Sequence, residues 1–123
     1  KFACNKIKEI HSKVGISVKP DTPIEKVYEF LPYIHVCLVM TVEPGKGGQT
    51  MLSEMVQKVQ KLKQYIDENN LEVDIEVDGG IYHKNVAEVL AAGANVMVSG
   101  SGVFKGDIKD NTAKFMEILN GNV

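Results

Sequence analysis

The sequence predicts an α/β fold, a parallel sheet with its helices packed outside. Three observations carry that reading. Short β-branched runs alternate with helical stripes of apolar residues. One helix is followed by four strand–loop–helix units. Three of the four strands run directly into glycine-rich loops.

The first element is a helix. Ala3, Ile7, Ile10 and Val14 recur at spacings of four, three and four, and Gly15 stands where helices commonly end. Residues 15–19 then form a β-branched run stopped by Pro20, a strand. A second helix opens with Thr22 as N-cap, Pro23 at the first helical position and Glu25 closing a capping box. Its inner positions are Ile24, Val27, Tyr28 and Leu31, and Pro32 ends it. Residues 34–42 are a nearly continuous apolar strand, the pattern of a parallel strand covered on both faces.

A glycine-rich loop over residues 43–50 leads to a longer helix over 52–69, with Leu52, Met55, Val56, Val59, Leu62 and Ile66 on its inner face. The third strand spans 73–78, Gly79-Gly80 is its loop, and a helix over 85–92 is ended by Gly93. The fourth strand covers 96–99, with Gly100-Ser101-Gly102 as its loop. A last helix runs over 110–120. The strands start near 16, 34, 73 and 96, with right-handed crossovers between them. An open doubly wound sheet and a (β/α)8 barrel both fit this alternation. A whole barrel takes about 250 residues, so four units would be half of one.

The length of 123 residues suits one small domain. With 14 Lys+Arg against 16 Asp+Glu, the net charge is −2, and there is no basic stripe for nucleic acid. No apolar run approaches the roughly 20 residues that cross a bilayer. Cys4 and Cys37 are too few, and wrongly spaced, for a disulfide scaffold or zinc ribbon; they read as small apolar side chains in a reducing cytoplasm. The chain begins at Lys1 without a signal-like apolar core, and the expectation is a fragment.

The loops carry the chemistry. Pro44-Gly45-Lys46-Gly47-Gly48-Gln49, Asp78-Gly79-Gly80 and Ser99-Gly100-Ser101-Gly102 all follow strand C-terminal ends, where α/β folds place their sites. Glycines let backbone N–H groups converge on one anion, so three such loops in register point to a shared phosphate site. The Gly45-Lys46-Gly47 run is no Walker loop, because the spacing before Lys and the Ser/Thr after it are missing. Gly100, Gly102 and Gly106 miss the dinucleotide fingerprint by one residue.

Alternation along the third strand puts Asp74, Glu76 and Asp78 on one face and Val73, Ile75 and Val77 on the other. In a barrel the carboxylates point inward and need cations or donors, with Lys19 a candidate partner for Glu76. Asp78, at the strand tip beside a phosphate-type loop, is the candidate for acid–base work or metal ligation. Met40 packs in the core or walls the site. His11 and His35 lack a second ligand at metal spacing, and His83 reads as an exposed loop side chain.

LVMTVEPGKGGQ (residues 38–49), IEVDGGI (75–81), AGANVMVSGS (92–101) and GISVKPDTP (15–23) together resemble the ribulose-phosphate 3-epimerase family over essentially the whole chain. The resemblance implies a TIM barrel of which this chain supplies roughly strands five to eight, residues 1–123 being the C-terminal half of one domain. It implies interconversion of D-ribulose 5-phosphate and D-xylulose 5-phosphate, a step of the pentose phosphate pathway, by proton transfer at C3. It also implies a divalent metal (Zn, Fe, Mn or Co). Asp78 matches one of two catalytic aspartates and a metal ligand. Gly45, Lys46, Gly47, Gly48, Gly79, Gly80, Gly100 and Ser101 match the phosphate loops, and Met40 an apolar residue near the metal.

Lys46 departs from the Phe usual there, and the opposite aspartate, the metal histidines and a first-strand serine belong to a half not in this chain. The implied partners are the sugar phosphate, the missing N-terminal half-barrel and further copies in a homo-oligomer; the half alone is expected to be inactive. The competing readings are another phosphate-binding barrel enzyme, a decarboxylase or synthase, and a non-catalytic half barrel that binds phosphosugars.

Overall fold

A computed structural model describes residues 1–45, 51 and 53–121. Four strands, β1 (Gly15–Val18), β2 (Val36–Met40), β3 (Asp74–Asp78) and β4 (Val96–Val98), form one parallel sheet in the order β1-β2-β3-β4. The helices are α1 (Phe2–Glu9), a 3-10 helix (Ile24–Tyr33), α2 (Glu54–Glu68), α3 (Val86–Ala92), α4 (Ser101–Phe104) and α5 (Ile108–Leu119).

Strand order separates the two architectures. A doubly wound sheet reverses direction at a switch point; here every strand pairs with its neighbours in sequence, the order of a barrel segment. Burial agrees. On one face Cys37, Val39, Ile75 and Val77 are fully enclosed beneath Val59 and Leu62 of α2 and Val86 and Val89 of α3. On the other, Val36, Leu38, Met40, Glu76, Asp78 and Val98 are only half-buried, and Ser17, Asp74 and Val96 are exposed. The sheet is covered on one side, so the expectation of a β2 enclosed on both faces fails within the chain.

Of the stripe predicted for α2, Met55, Val56, Val59, Leu62 and Ile66 are all buried, and Leu52 lies outside the described residues. Gly93 takes φ +118 and ends α3. The two helices that precede β2 differ from expectation. The first stops at Glu9 because His11 turns left-handed at φ +59, which leaves Ile10 72% exposed and Ala3 outside the core while Cys4 packs inward. Val14 still reaches the core, but through the turn into β1, where its N–H donates to His35 Nδ1 at 3.0 Å.

The second is a 3-10 helix that continues through Pro32. Thr22 makes no capping box; Pro23 is the N-cap, and no side chain caps the end. A 3-10 helix rises about 2.0 Å per residue against 1.5 Å for an α-helix, so the same residues span more of the return path between parallel strands. The turn after β4 also becomes the short helix α4 rather than a plain loop, and α5 begins earlier than expected, capped by Asp107, whose carboxylate accepts from the Asp110 N–H at 2.9 Å.

Candidate functional site

The site grows from the register of the sheet. Met40 pairs with Asp78, and Asp78 with Val98, so these three form the last row of side chains on the open face. One row below lie Ser17, Leu38, Glu76 and Val96. Asp78 is the only ionisable side chain among the three paired residues of the upper row. β3 is flanked by β2 and β4, which rules out a solvated edge strand. Among the described residues no ion pair joins Lys19 to Glu76. Lys19 lies beyond the last β1 pair, a row above Glu76. Asp74 instead accepts a hydrogen bond from Asn95 Nδ2 at 2.8 Å.

The turn that follows Asp78 is held from both sides. The Thr41 N–H donates to the Asp78 carbonyl at 2.9 Å, and its buried hydroxyl donates to the Gly79 carbonyl. Gly79 sits at φ +128, and a Cβ there would lie 2.4 Å from Val42 Cγ2 and 2.8 Å from the Val42 nitrogen. Only glycine fits. Gly80 follows at φ +65, and its carbonyl accepts from Asn85 Nδ2 at 2.8 Å. Asn85 Oδ1 in turn accepts from the Tyr82 N–H at 2.9 Å, closing the loop ahead of α3.

The turn after β4 is tied to this one. Ser99 donates its hydroxyl proton to the Ile81 carbonyl at 2.5 Å. The Ser101 and Tyr82 oxygens lie 2.6 Å apart. Gly102 is buried where a Cβ would lie 2.4 Å from Ser99 Oγ and 2.5 Å from the Ile81 carbonyl oxygen. Gly79, Gly80 and Ser101 therefore lie in turns joined by hydrogen bonds just beyond Asp78, while the Gly100 carbonyl accepts from the Val103 and Phe104 N–H groups, both at 3.0 Å. Gly45, at φ +95 with open space about it, starts the remaining loop. Lys46, Gly47 and Gly48 lie outside the described residues.

Sequence reasoning missed Thr41, Tyr82 and Asn85, which fix these turns, and Lys58. Asn85 alone carries a readable signal, a polar residue at the entry to a helix. Lys58 is buried among the apolar residues of α2 and donates from Nζ to the Lys19 and Pro20 carbonyls, both at 2.9 Å. Burial lowers its ammonium pKa, against the raising effects of Asp21, Glu25 and Cys37. Burial also pushes the Cys37 thiol up to about 11, with Lys58 partly opposing.

A model of the ribulose-phosphate 3-epimerase family matches residues 1–104. The chain belongs to the ribulose-phosphate 3-epimerase family. It is 42% identical over 115 residues to the ribulose-phosphate 3-epimerase of Synechocystis, covering 94% of this chain and 47% of that protein. Against the Aquifex aeolicus protein of the same name the figures are 40% over 114 residues, 92% and 51%. For that of Treponema pallidum they are 43% over 102 residues, 83% and 47%. The chain thus spans about half the length of the curated relatives it matches. Among solved structures, a thiamine phosphate pyrophosphorylase from Pyrococcus furiosus aligns over 96% of this chain and 64% of its own, at TM-score 0.49 and 15% identity.

Ribulose-phosphate 3-epimerases are TIM barrels, and the four-stranded parallel sheet is consistent with half of one. The family generally uses a divalent metal. Among the described residues no three His, Cys, Asp or Glu side chains group to hold an ion. Asp78, half-buried on the open face, carries a carboxylate, a donor type that divalent ions accept. Among the described residues, no helix is long and apolar enough to cross a membrane.

Proposed function

We propose that this chain supplies strands five to eight of a (β/α)8 barrel that interconverts D-ribulose 5-phosphate and D-xylulose 5-phosphate in the cytoplasm. The observation that carries the reading is Asp78. It stands on the open face at the strand tip, in one row with Met40, directly before a glycine turn tied to Ser101.

In this reading the Gly79-Gly80 and Gly100-Ser101 turns, with the loop begun by Gly45, bind the sugar's phosphate through backbone N–H groups. That anchoring sets C3 of the sugar beside the Asp78 carboxylate. Asp78 accepts the C3 proton; the C3–H electron pair forms the C2–C3 double bond, and the C2 carbonyl oxygen takes the negative charge. Return of a proton to the opposite face of C3 completes the epimerisation and requires an acid facing Asp78. Asp78 would also be the chain's ligand to a divalent ion, Zn, Fe, Mn or Co, which when bound stabilises the developing oxyanion. The opposing acid and remaining ligands belong to the N-terminal half-barrel, so the 123 residues alone are inactive. In solution the complete barrel forms a homo-oligomer.

The test uses the protein expressed from the complete reading frame that encodes this chain. Asp78→Asn is expected to lower kcat for ribulose 5-phosphate by roughly a thousandfold, the scale of a lost general base, without moving the melting temperature. Retention of more than a tenth of the wild-type kcat would overturn the assignment.

A further inference from the structure

The two turns at the site carry two serine hydroxyls, and they are not equivalent. Each hydroxyl has one proton to donate. That of Ser99 is committed to the Ile81 carbonyl at 2.5 Å. Ser101 has a different neighbour, the phenol oxygen of Tyr82, at 2.6 Å. Either oxygen could donate across that distance, and acidity chooses between them. A phenol, with an ordinary pKa of about 10, is a far better donor than an aliphatic alcohol. The tyrosine proton therefore points to Ser101 Oγ, and the serine proton is left for a third atom.

Tyr82 is well placed to hold that orientation. Its N–H donates to Asn85 Oδ1 at 2.9 Å, and its carbonyl accepts from the N–H groups of Asn85 and Val86 at 3.0 and 2.9 Å. The backbone beneath the ring is thus fixed at the start of α3. Beside it opens a cavity of about 300 Å³ lined by Gly80, Tyr82, His83, Lys84 and Asn85, with no carboxylate among them.

We propose that Tyr82 is a positioning residue for the phosphate site: its phenol donates to Ser101 and so aims the serine proton at a phosphate oxygen. A hydrogen-bond chain of this kind also polarises the serine O–H and strengthens its donation to an anion. The proposal deepens the epimerase reading and rests on its phosphate site, but not on the chemistry at C3. Tyr82 touches no reacting atom.

The experiment compares wild type, Tyr82→Phe, Ser101→Ala and the double variant, each from the complete reading frame. KM and kcat for ribulose 5-phosphate are measured, together with direct binding of inorganic phosphate by calorimetry. Tyr82→Phe keeps the ring and removes only the hydroxyl. It is expected to raise KM and the phosphate Kd each about tenfold, the scale of a weakened charge-assisted hydrogen bond, with the loss falling on KM rather than kcat. The double variant should bind no worse than Ser101→Ala, since the two oxygens act as one unit.

A phosphate Kd unchanged within twofold in Tyr82→Phe overturns the proposal, as do effects that multiply in the double variant. A loss confined to kcat does the same. If the wild type shows no epimerase activity yet binds phosphate in a Tyr82-dependent way, the epimerase reading fails while the role of Tyr82 stands.

Discussion

The two faces of β3 meet opposite surroundings. Ile75 and Val77 face the helices at 1% and 0% exposure, in a layer where side chains from α2, α3 and β2 close on one another. Asp74, Glu76 and Asp78 face the other way and are exposed or half-buried. The helix side is a finished core that stabilises the fold, whereas the open side of β3 leaves three carboxylates within reach of solvent. The contrast separates residues buried against the helices from carboxylates left open on the same strand.

Substitutions on the helix side should cost stability and leave the chemistry alone, the reverse of Asp78→Asn. Leu62→Ala, at a position with no exposure, is expected to destabilise by about 3 kcal/mol through lost burial and a residual cavity, read from denaturant midpoints. If Leu62→Ala lowered kcat as much as Asp78→Asn does, the division of labour between the faces would be wrong.

Cys37 sharpens the same contrast through pH. Burial on the helix side pushes its thiol from an ordinary 9.0 up to about 11. A raised pKa means that the folded protein holds the proton longer, so this stabilisation is fully present below pH 9 and is lost as pH rises through about 11. A two-unit shift corresponds to at most about 3 kcal/mol. Cys37→Ala should flatten the fall in stability between these pH values, measured by denaturant titration. An unchanged slope would place the thiol in water.

At the bottom of the scale lies the solvent side of α2, where Lys63 Nζ meets Asp67 Oδ1 at 2.8 Å with both side chains substantially exposed. Lys63→Ala is expected to change stability by less than about 0.5 kcal/mol, within the scatter of chemical unfolding. A larger loss would trace to the Lys63 stem packed over Gly93 rather than to the ion pair.

Much of this was legible in the sequence, for a physical reason. Alternation along β3 and the apolar stripe of α2 are local periodicities, and burial follows them directly. The glycines at 79 and 93 marked real left-handed turns, because no other residue occupies that backbone region cheaply. What escaped depends on neighbours distant in the chain. Thr22, Pro23 and Glu25 spell a capping box, yet the span between β1 and β2 is a 3-10 helix. No local pattern marks Lys58, because what draws its ammonium inward is a pair of backbone carbonyls just past β1, 39 and 38 residues away in the chain. The meeting of Tyr82 with Ser101 joins positions 19 apart in sequence, a pairing no local pattern encodes.

The strand order has a consequence for how the chain comes together. Each strand's partners are those made just before and just after it, so the sheet can be laid down in the sequence in which a ribosome releases it. Every new unit docks on one already formed, and no early strand must wait for a distant mate. Growth of this kind carries no internal stop signal. Among the described residues the outer rims of β1 and β4 pair with no further strand, so their backbone groups stand ready to accept one.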